Sequence, residues 1–150
     1  MSQKSGGEAG TKSGAKSPWH DLEAPGTAAF EELAREAFAR LPASFRALCT
    51  GLVIRIEDFP TDEVLDEMEA ETPFDLLGLF QGVGRAQAGA VAETGQMPNM
   101  VFLYRRPILD YWAEHEETLG DVVTHVLVHE IGHHFGLSDD DMEAIEDRAN

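Results

Sequence analysis

The chain has 150 residues, 43% hydrophobic and 8% aromatic, with 28 acidic side chains against 11 basic ones and a formal net charge of −17. That length makes one domain, and the ordinary apolar fraction excludes wholesale disorder. A surface this negative repels nucleic-acid backbones and anionic lipid headgroups and favours metal ions or basic peptides. No run approaches the 18 consecutive apolar residues of a membrane span.

Residues 1–18 hold three lysines and one glutamate, a net +2, which leaves −19 for residues 19–150. This Gly/Ser/Lys-rich segment reads as a flexible tail, and without an apolar run it is no signal peptide. Residues 19–150 read as the domain. Thr27 and the run AAFEELAREAFARL predict a capped helix, with Phe30, Leu33, Ala37, Phe38 and Leu41 at helical spacing before Pro42. A short helix over ASFRALC follows. The single cysteine, Cys49, permits no internal disulfide and no cysteine-based zinc cluster. Its apolar neighbours predict burial, and a reducing, cytoplasmic compartment fits it.

Leu52–Ile56 reads as a strand, rich in β-branched residues and bounded by Gly51 and Pro60. Residues 57–71 carry eight acids and no base, the pattern of a solvated loop and short helix. Leu76–Phe80 is a short strand candidate and Met100–Tyr104 a stronger one, stopped by an Arg105-Arg106-Pro107 turn. The Gly-bearing, small and polar residues 85–99 between them read as a mobile loop. Helix resumes from Ile108 to Glu114, and the longest helix runs from about Thr118 to Phe135. Helices, three strands and more helices imply an α+β domain with a small mixed sheet.

The long helix contains His129-Glu130-Ile131-Gly132-His133. Residues four apart lie one turn apart on one helix face, so both imidazoles can reach one ion. Glu130, displaced around the helix, can meet a water at that ion. Zinc fits, because it accepts imidazole nitrogens and keeps a position open in catalytic sites. It lowers the pKa of water from about 15.7 toward roughly 7, and Glu130 takes the proton. Leu119, Val122, Val123, Val126, Leu127, Val128 and Ile131 surround the helix almost completely, which places it in the core.

Beyond His133 the pattern extends to H-E-x-x-H-x-x-G-x-x-D. Gly136 can adopt the left-handed conformation that ends a helix and reverses the chain, turning Asp139 toward the metal as a third ligand. Ser138-Asp139-Asp140-Asp141 also reads as a capping box for a last helix through Met142, Ala144 and Ile145. Asp140 and Asp141 remain alternatives to Asp139 as ligand. His125, one turn before His129, reads as a packing residue or as one standing behind the ligands. Tyr104, Tyr111, His134, Arg105 and Arg106 are candidates to stabilise an oxyanion.

These residues resemble the minimal zincin-like metallopeptidases, a family of small bacterial proteins. The likeness rests on LPASF near Leu41, LLGLFQG at Leu76–Gly82, FLYRRPIL at Phe102–Leu109 and HEIGHHFGLSDDDM at His129–Met142. It implies a compact zincin-type α+β fold with a mixed sheet and an active-site helix. It also implies one zinc ion ligated by His129, His133 and Asp139, with Glu130 as catalytic base. Zincins pair an extended substrate with an edge strand beside the cleft. Leu76–Gly82 is the expected edge, and residues 83–98 its expected rim. The function expected is zinc-dependent hydrolysis of a peptide or protein substrate, basic rather than acidic, without nucleic acid or membrane. The alternative is a zinc-binding module with a structural or regulatory role and no turnover.

Overall fold

The computed structural model describes residues 14–82 and 99–149. Residues 1–13 of the expected tail and the expected rim at 83–98 lie outside the described residues. Helix α1 (Thr27–Arg40) buries Phe30, Ala34 and Ala37, the stripe its periodicity predicts. Thr27 does not cap it: the cap position falls to Gly26, and Thr27 is already inside the helix. The short α2 (Ala43–Arg46) and a 3-10 turn at Ala47–Cys49 follow, with Phe45 and Cys49 buried as the packing residues.

Three strands form one sheet: β1 (Val53–Glu57), β2 (Gly78–Gln81) and β3 (Met100–Tyr104). Their order is β1-β3-β2, with β1 parallel and β2 antiparallel to β3. The expected mixed sheet is therefore present, and β2 forms one of its edges. Between β1 and β2 lies α3 (Asp62–Glu67), capped by the Thr61 side chain, which accepts a hydrogen bond from the Val64 amide. The short helix inside the acidic stretch 57–71 is thus present, with its aspartates and glutamates in solvent.

β2 begins two residues later than the apolar run suggests. A 3-10 turn at Pro73–Asp75, closed by a reciprocal Thr72–Asp75 capping box, occupies the approach. The Arg105-Arg106-Pro107 segment is not a turn. Helix α4 (Arg105–Glu114) starts there directly from β3, with Pro107 in the first turn, where a missing N–H costs nothing. Arg105 secures the junction, donating from Nε to Asp58 at 2.8 Å and from a terminal nitrogen to the Pro25 carbonyl at 2.8 Å.

Helix α5 (Leu119–His134) is capped by Thr118, whose side chain accepts from the Asp121 amide. It packs on α1, α4, β2 and β3 and on the last helix, α6 (Asp139–Ala149). Burial on several sides at once explains its nearly all-round apolar sequence. Phe30, Leu103, Ile108, Leu127, Ile131 and Met142 are fully buried and tie helices and sheet into one core. No described helix is long and apolar enough to cross a membrane.

Candidate metal centre and active-site cleft

The i, i+4 spacing of α5 sets His125, His129 and His133 in one row along the helix. The His125 and His129 rings lie tilted to each other with centroids 3.9 Å apart, and the His129 and His133 rings meet edge-on at 5.5 Å. His129 is the most enclosed of the three; His125 and His133 face solvent. Burial, reinforced by the neighbouring His125, holds the His129 imidazole below its usual pKa, and that favours the neutral, metal-ligating form.

Gly136 adopts φ +77, the left-handed conformation its place after the helix requires. The Leu137 amide reaches back to the Gly132 carbonyl, and α6 returns antiparallel along α5. Met142 of α6 lies against Gly132, where an added Cβ would strike its side chain. It is a fully buried core residue. Asp139 is the first residue of α6 and is exposed. The Ser138–Asp141 capping box is present: Ser138 Oγ accepts from the Asp141 amide, and the Asp141 carboxylate from the Ser138 amide.

The carboxylate that does reach the histidine row is Glu146. Its Oε1 lies 3.0 Å from His125 Nδ1 and its Oε2 3.3 Å from His129 Nε2. One donor atom from each of these three residues falls within 4.8 Å of the others, a nitrogen-and-oxygen set that suits zinc. The sequence reading did not single out Glu146. A signal existed: Met142, Ile145 and Ala149 face the core, and Glu146 borders that face. One glutamate among the six acids of α6 carries no spacing rule that distinguishes it.

Glu130 leans the other way, toward β2. Its carboxyl group accepts a hydrogen bond from the Phe80 amide, yet burial outweighs that contact and pushes its pKa up to about 7. β2 approaches this closely because residue 78 is glycine. A Cβ there would come within 2.8 Å of Val126 Cγ1, 2.9 Å of the Phe102 carbonyl oxygen and 3.2 Å of Glu130 Cγ. A cavity of about 260 Å3 opens between helix and strand, lined among others by Met68, Leu77, Gly78, His125, His129 and Glu130. The Leu77 carbonyl accepts from the Tyr104 amide, so by alternation Gly78 and Phe80 turn their backbone groups outward from the sheet.

Of the oxyanion candidates, Arg105 is committed to Asp58 and Pro25, and Arg106 sits over the Phe59 ring at 5.4 Å. Tyr111 stacks on His115 at 3.8 Å. Tyr104 and His134 remain. Burial, then the charges of Glu130 and Glu57, pushes the Tyr104 phenol up to about 12, so it stays a hydrogen-bond donor. His134 stacks on Phe80 with centroids 4.1 Å apart, and burial lowers its pKa.

No curated protein sequence matches the chain. The model of the zincin-like metallopeptidase family matches residues 49–149, which span all three strands and the helices from α3 to α6. A match over two-thirds of the chain, including a helix that carries H-E-x-x-H beside an antiparallel edge strand, shows that this chain belongs to the zincin-like metallopeptidase family.

Proposed function

We propose that the chain is a zinc-dependent metallopeptidase in which Glu130 is the general base of peptide-bond hydrolysis. Family membership supports a metallopeptidase-type function and zinc binding. The observation that carries it is Glu130 itself. It is a buried carboxyl group with a pKa of about 7, next in sequence to His129, lining the same cavity and tethered to the edge strand. A general base works best when its pKa lies near the operating pH.

His129 and His133 would hold the metal, with a carboxylate from the α6 segment as third ligand. Asp139, which the family resemblance implies, is the residue whose substitution tests that part. Bound there, zinc supplies Lewis acidity, polarising the scissile carbonyl and making water more acidic. Glu130 takes the proton of the attacking water and delivers it to the departing amine. The Phe80 amide holds the carboxylate in line for both transfers. An extended peptide would lie along β2, where the outward backbone groups of Gly78 and Phe80 border the cleft. The net charge of −17 favours a basic peptide or protein over an acidic one. Nucleic acid and membrane are disfavoured by the same charge. A buried Cys49 thiol supports a reducing, cytoplasmic setting.

The test is cleavage of a peptide library by zinc-loaded wild type and Glu130→Gln. Cleavage lost in the variant while its zinc content is retained supports the enzyme. Equal background cleavage in both, with zinc retained, leaves a structural or regulatory zinc module instead. Preference for acidic residues around the scissile bond would overturn the basic-substrate reading.

A further inference from the structure

The sheet has a second face, turned away from α1 and α5. Alternation along the strands sends Ile54, Ile56, Val101 and Leu103 toward the core and turns Glu57, Phe102 and Tyr104 to the opposite side, with Glu57 paired to Tyr104 in the register. Leu79 pairs with Phe102, so Leu79 and Gln81 of β2 share that outer side. Between this face and α3 lies a cavity of about 400 Å3, lined among others by Glu57, Gln81, Phe102 and Tyr104 from the sheet and by Glu63 and Glu67 from α3. Ligand sites commonly enclose roughly 300–1,000 Å3.

Tyr104 is only 3% exposed, yet among the described residues its phenol makes no hydrogen bond. A buried tyrosine hydroxyl normally finds a partner, and this one lines the cavity. The acids of α3 are equally unexplained by the helix itself. Glu63 and Glu67 stand one turn apart, a like-charge pair, and Glu67 lies in the last turn, where a negative charge opposes the dipole. Glu57 meets Arg55 at 3.6 Å, but neither Glu63 nor Glu67 is in an ion pair among the described residues. Among those residues the three glutamates do not converge closely enough to share one metal ion. The Phe102 and Tyr104 rings lie nearly parallel with centroids 6.4 Å apart. Carboxylates spread around aromatic rings suit an extended organic cation, whose charged head meets the acids while its stem covers the rings.

The cavity adjoins the substrate edge. Gln81 belongs to β2, and the charge of Glu130 bears on the Tyr104 phenol. A peptide paired with the free edge of β2 sends every second side chain to the face of Leu79 and Gln81. Phe102 and Tyr104 lie on β3, two strand spacings or about 10 Å from such a peptide, so only a long side chain reaches in. We propose that this cavity is a substrate subsite for a lysine or arginine side chain. Glu63 and Glu67 pair with the cation, the two rings cover its stem, and the Tyr104 hydroxyl accepts a hydrogen bond from it. That the ligand is a substrate rests on the peptidase reading under Proposed function; the preference for a cation does not.

Binding is read on the zinc-loaded full chain by NMR titration with N-acetyl-arginine amide and with its uncharged analogue, N-acetyl-citrulline amide. The arginine probe should shift the amide signals of α3, Phe102 and Tyr104 saturably, and the citrulline probe should leave them in place. Glu63→Gln combined with Glu67→Gln should weaken the arginine probe about tenfold, and Tyr104→Phe about threefold. Thermal melting checks that these variants fold. In peptide cleavage, the double glutamate variant should raise KM about tenfold for a substrate with the basic side chain and leave kcat unchanged, with no effect on the citrulline counterpart. Citrulline bound as well as arginine, arginine bound elsewhere on the protein, or binding and KM indifferent to Glu63 and Glu67 overturns the proposal. Arginine held in this cavity by a protein that cleaves no peptide supports the cation site and removes the peptidase reading alone.

Discussion

Two carboxylates flank the histidine row of α5, and their surroundings differ. Glu130 is pressed toward the sheet, where it accepts a hydrogen bond from the Phe80 amide, and burial pushes its pKa up to about 7. Glu146 arrives from α6 and faces the imidazoles of His125 and His129. An apolar wall with one backbone donor makes a carboxyl group that accepts and returns protons. Imidazole nitrogens beside a carboxylate hold it in place through short polar contacts. Two like side chains thus suit different tasks because of what lies within a few ångströms of each.

The sharpest way to break this comparison is to remove the titrating carboxyl group. Glu130→Gln should lower peptide hydrolysis by about 10²- to 10⁴-fold, the usual contribution of a general base, with zinc content unchanged. The same variant has a second signature in the zinc-free protein. The folded pKa of Glu130 is raised above the unfolded value near 4.5, so the folded state holds a proton that the unfolded state releases. Stability from this group is fully present below pH 4.5 and is lost as pH rises through about 7, a decline of roughly 3 kcal/mol. Glu130→Gln should therefore match wild type at pH 4 and exceed it by up to that amount at pH 8. Urea unfolding at the two pH values measures this. A variant less stable than wild type at pH 8 would show that Glu130 is not buried as described.

Each carboxylate also depends on one glycine. Gly78 lets β2 approach Glu130, and the obstacles to a Cβ there include the fixed Phe102 carbonyl oxygen at 2.9 Å. Gly78→Ala should cost about 2–3 kcal/mol and separate Phe80 from Glu130, lowering the pKa of the carboxyl group as water enters. Gly132 lets α6 approach α5, and the obstacle there is the flexible end of Met142. Gly132→Ala should cost less, about 1–2 kcal/mol, and act on the α6 side, weakening zinc affinity by displacing α6 from α5. Thermal melts with chelator competition separate the two. Zinc affinity lost in Gly78→Ala and kept in Gly132→Ala would reverse the assignment of the two sides.

Much of this arrangement was legible in the chain, because it follows from local rules. Met100–Tyr104 is a strand from end to end, as its continuous apolar run predicts. The α5 boundaries follow from the Thr118 cap and the glycine at 136. Where tertiary contacts decide, local rules missed. Arg105 opens a helix rather than a turn because Asp58 and the Pro25 carbonyl, 47 and 80 residues away, hold its side chain. β2 starts late because the Thr72–Asp75 box takes the residues before it. At the site, the i, i+4 rule brought out His129 and His133, and the buried stripe of α5 implied a protected Glu130. Glu146 was silent, because nothing in DDDMEAIEDRA tells which acid of an acidic helix meets another helix. That information lies in the antiparallel register fixed by the turn at Gly136 and by Met142 seated on Gly132.

The smallest effect sits at the start of α6, where capping and ligation compete for the same four residues. Ser138 Oγ accepts from the Asp141 amide at 3.1 Å, satisfying one of the free N–H groups of the first turn. Ser138→Ala should cost about 1 kcal/mol of stability. Asp141→Ala should cost a few tenths, because its return contact to the Ser138 amide is long, at 3.4 Å. Both costs should appear in the zinc-free protein and leave zinc affinity within about threefold, since Met142 seated on Gly132, and not the cap, sets the height of α6 on α5. If Ser138→Ala instead weakens zinc markedly, the first turn of α6 carries part of the metal site. The carboxylate that matters would then be Asp139.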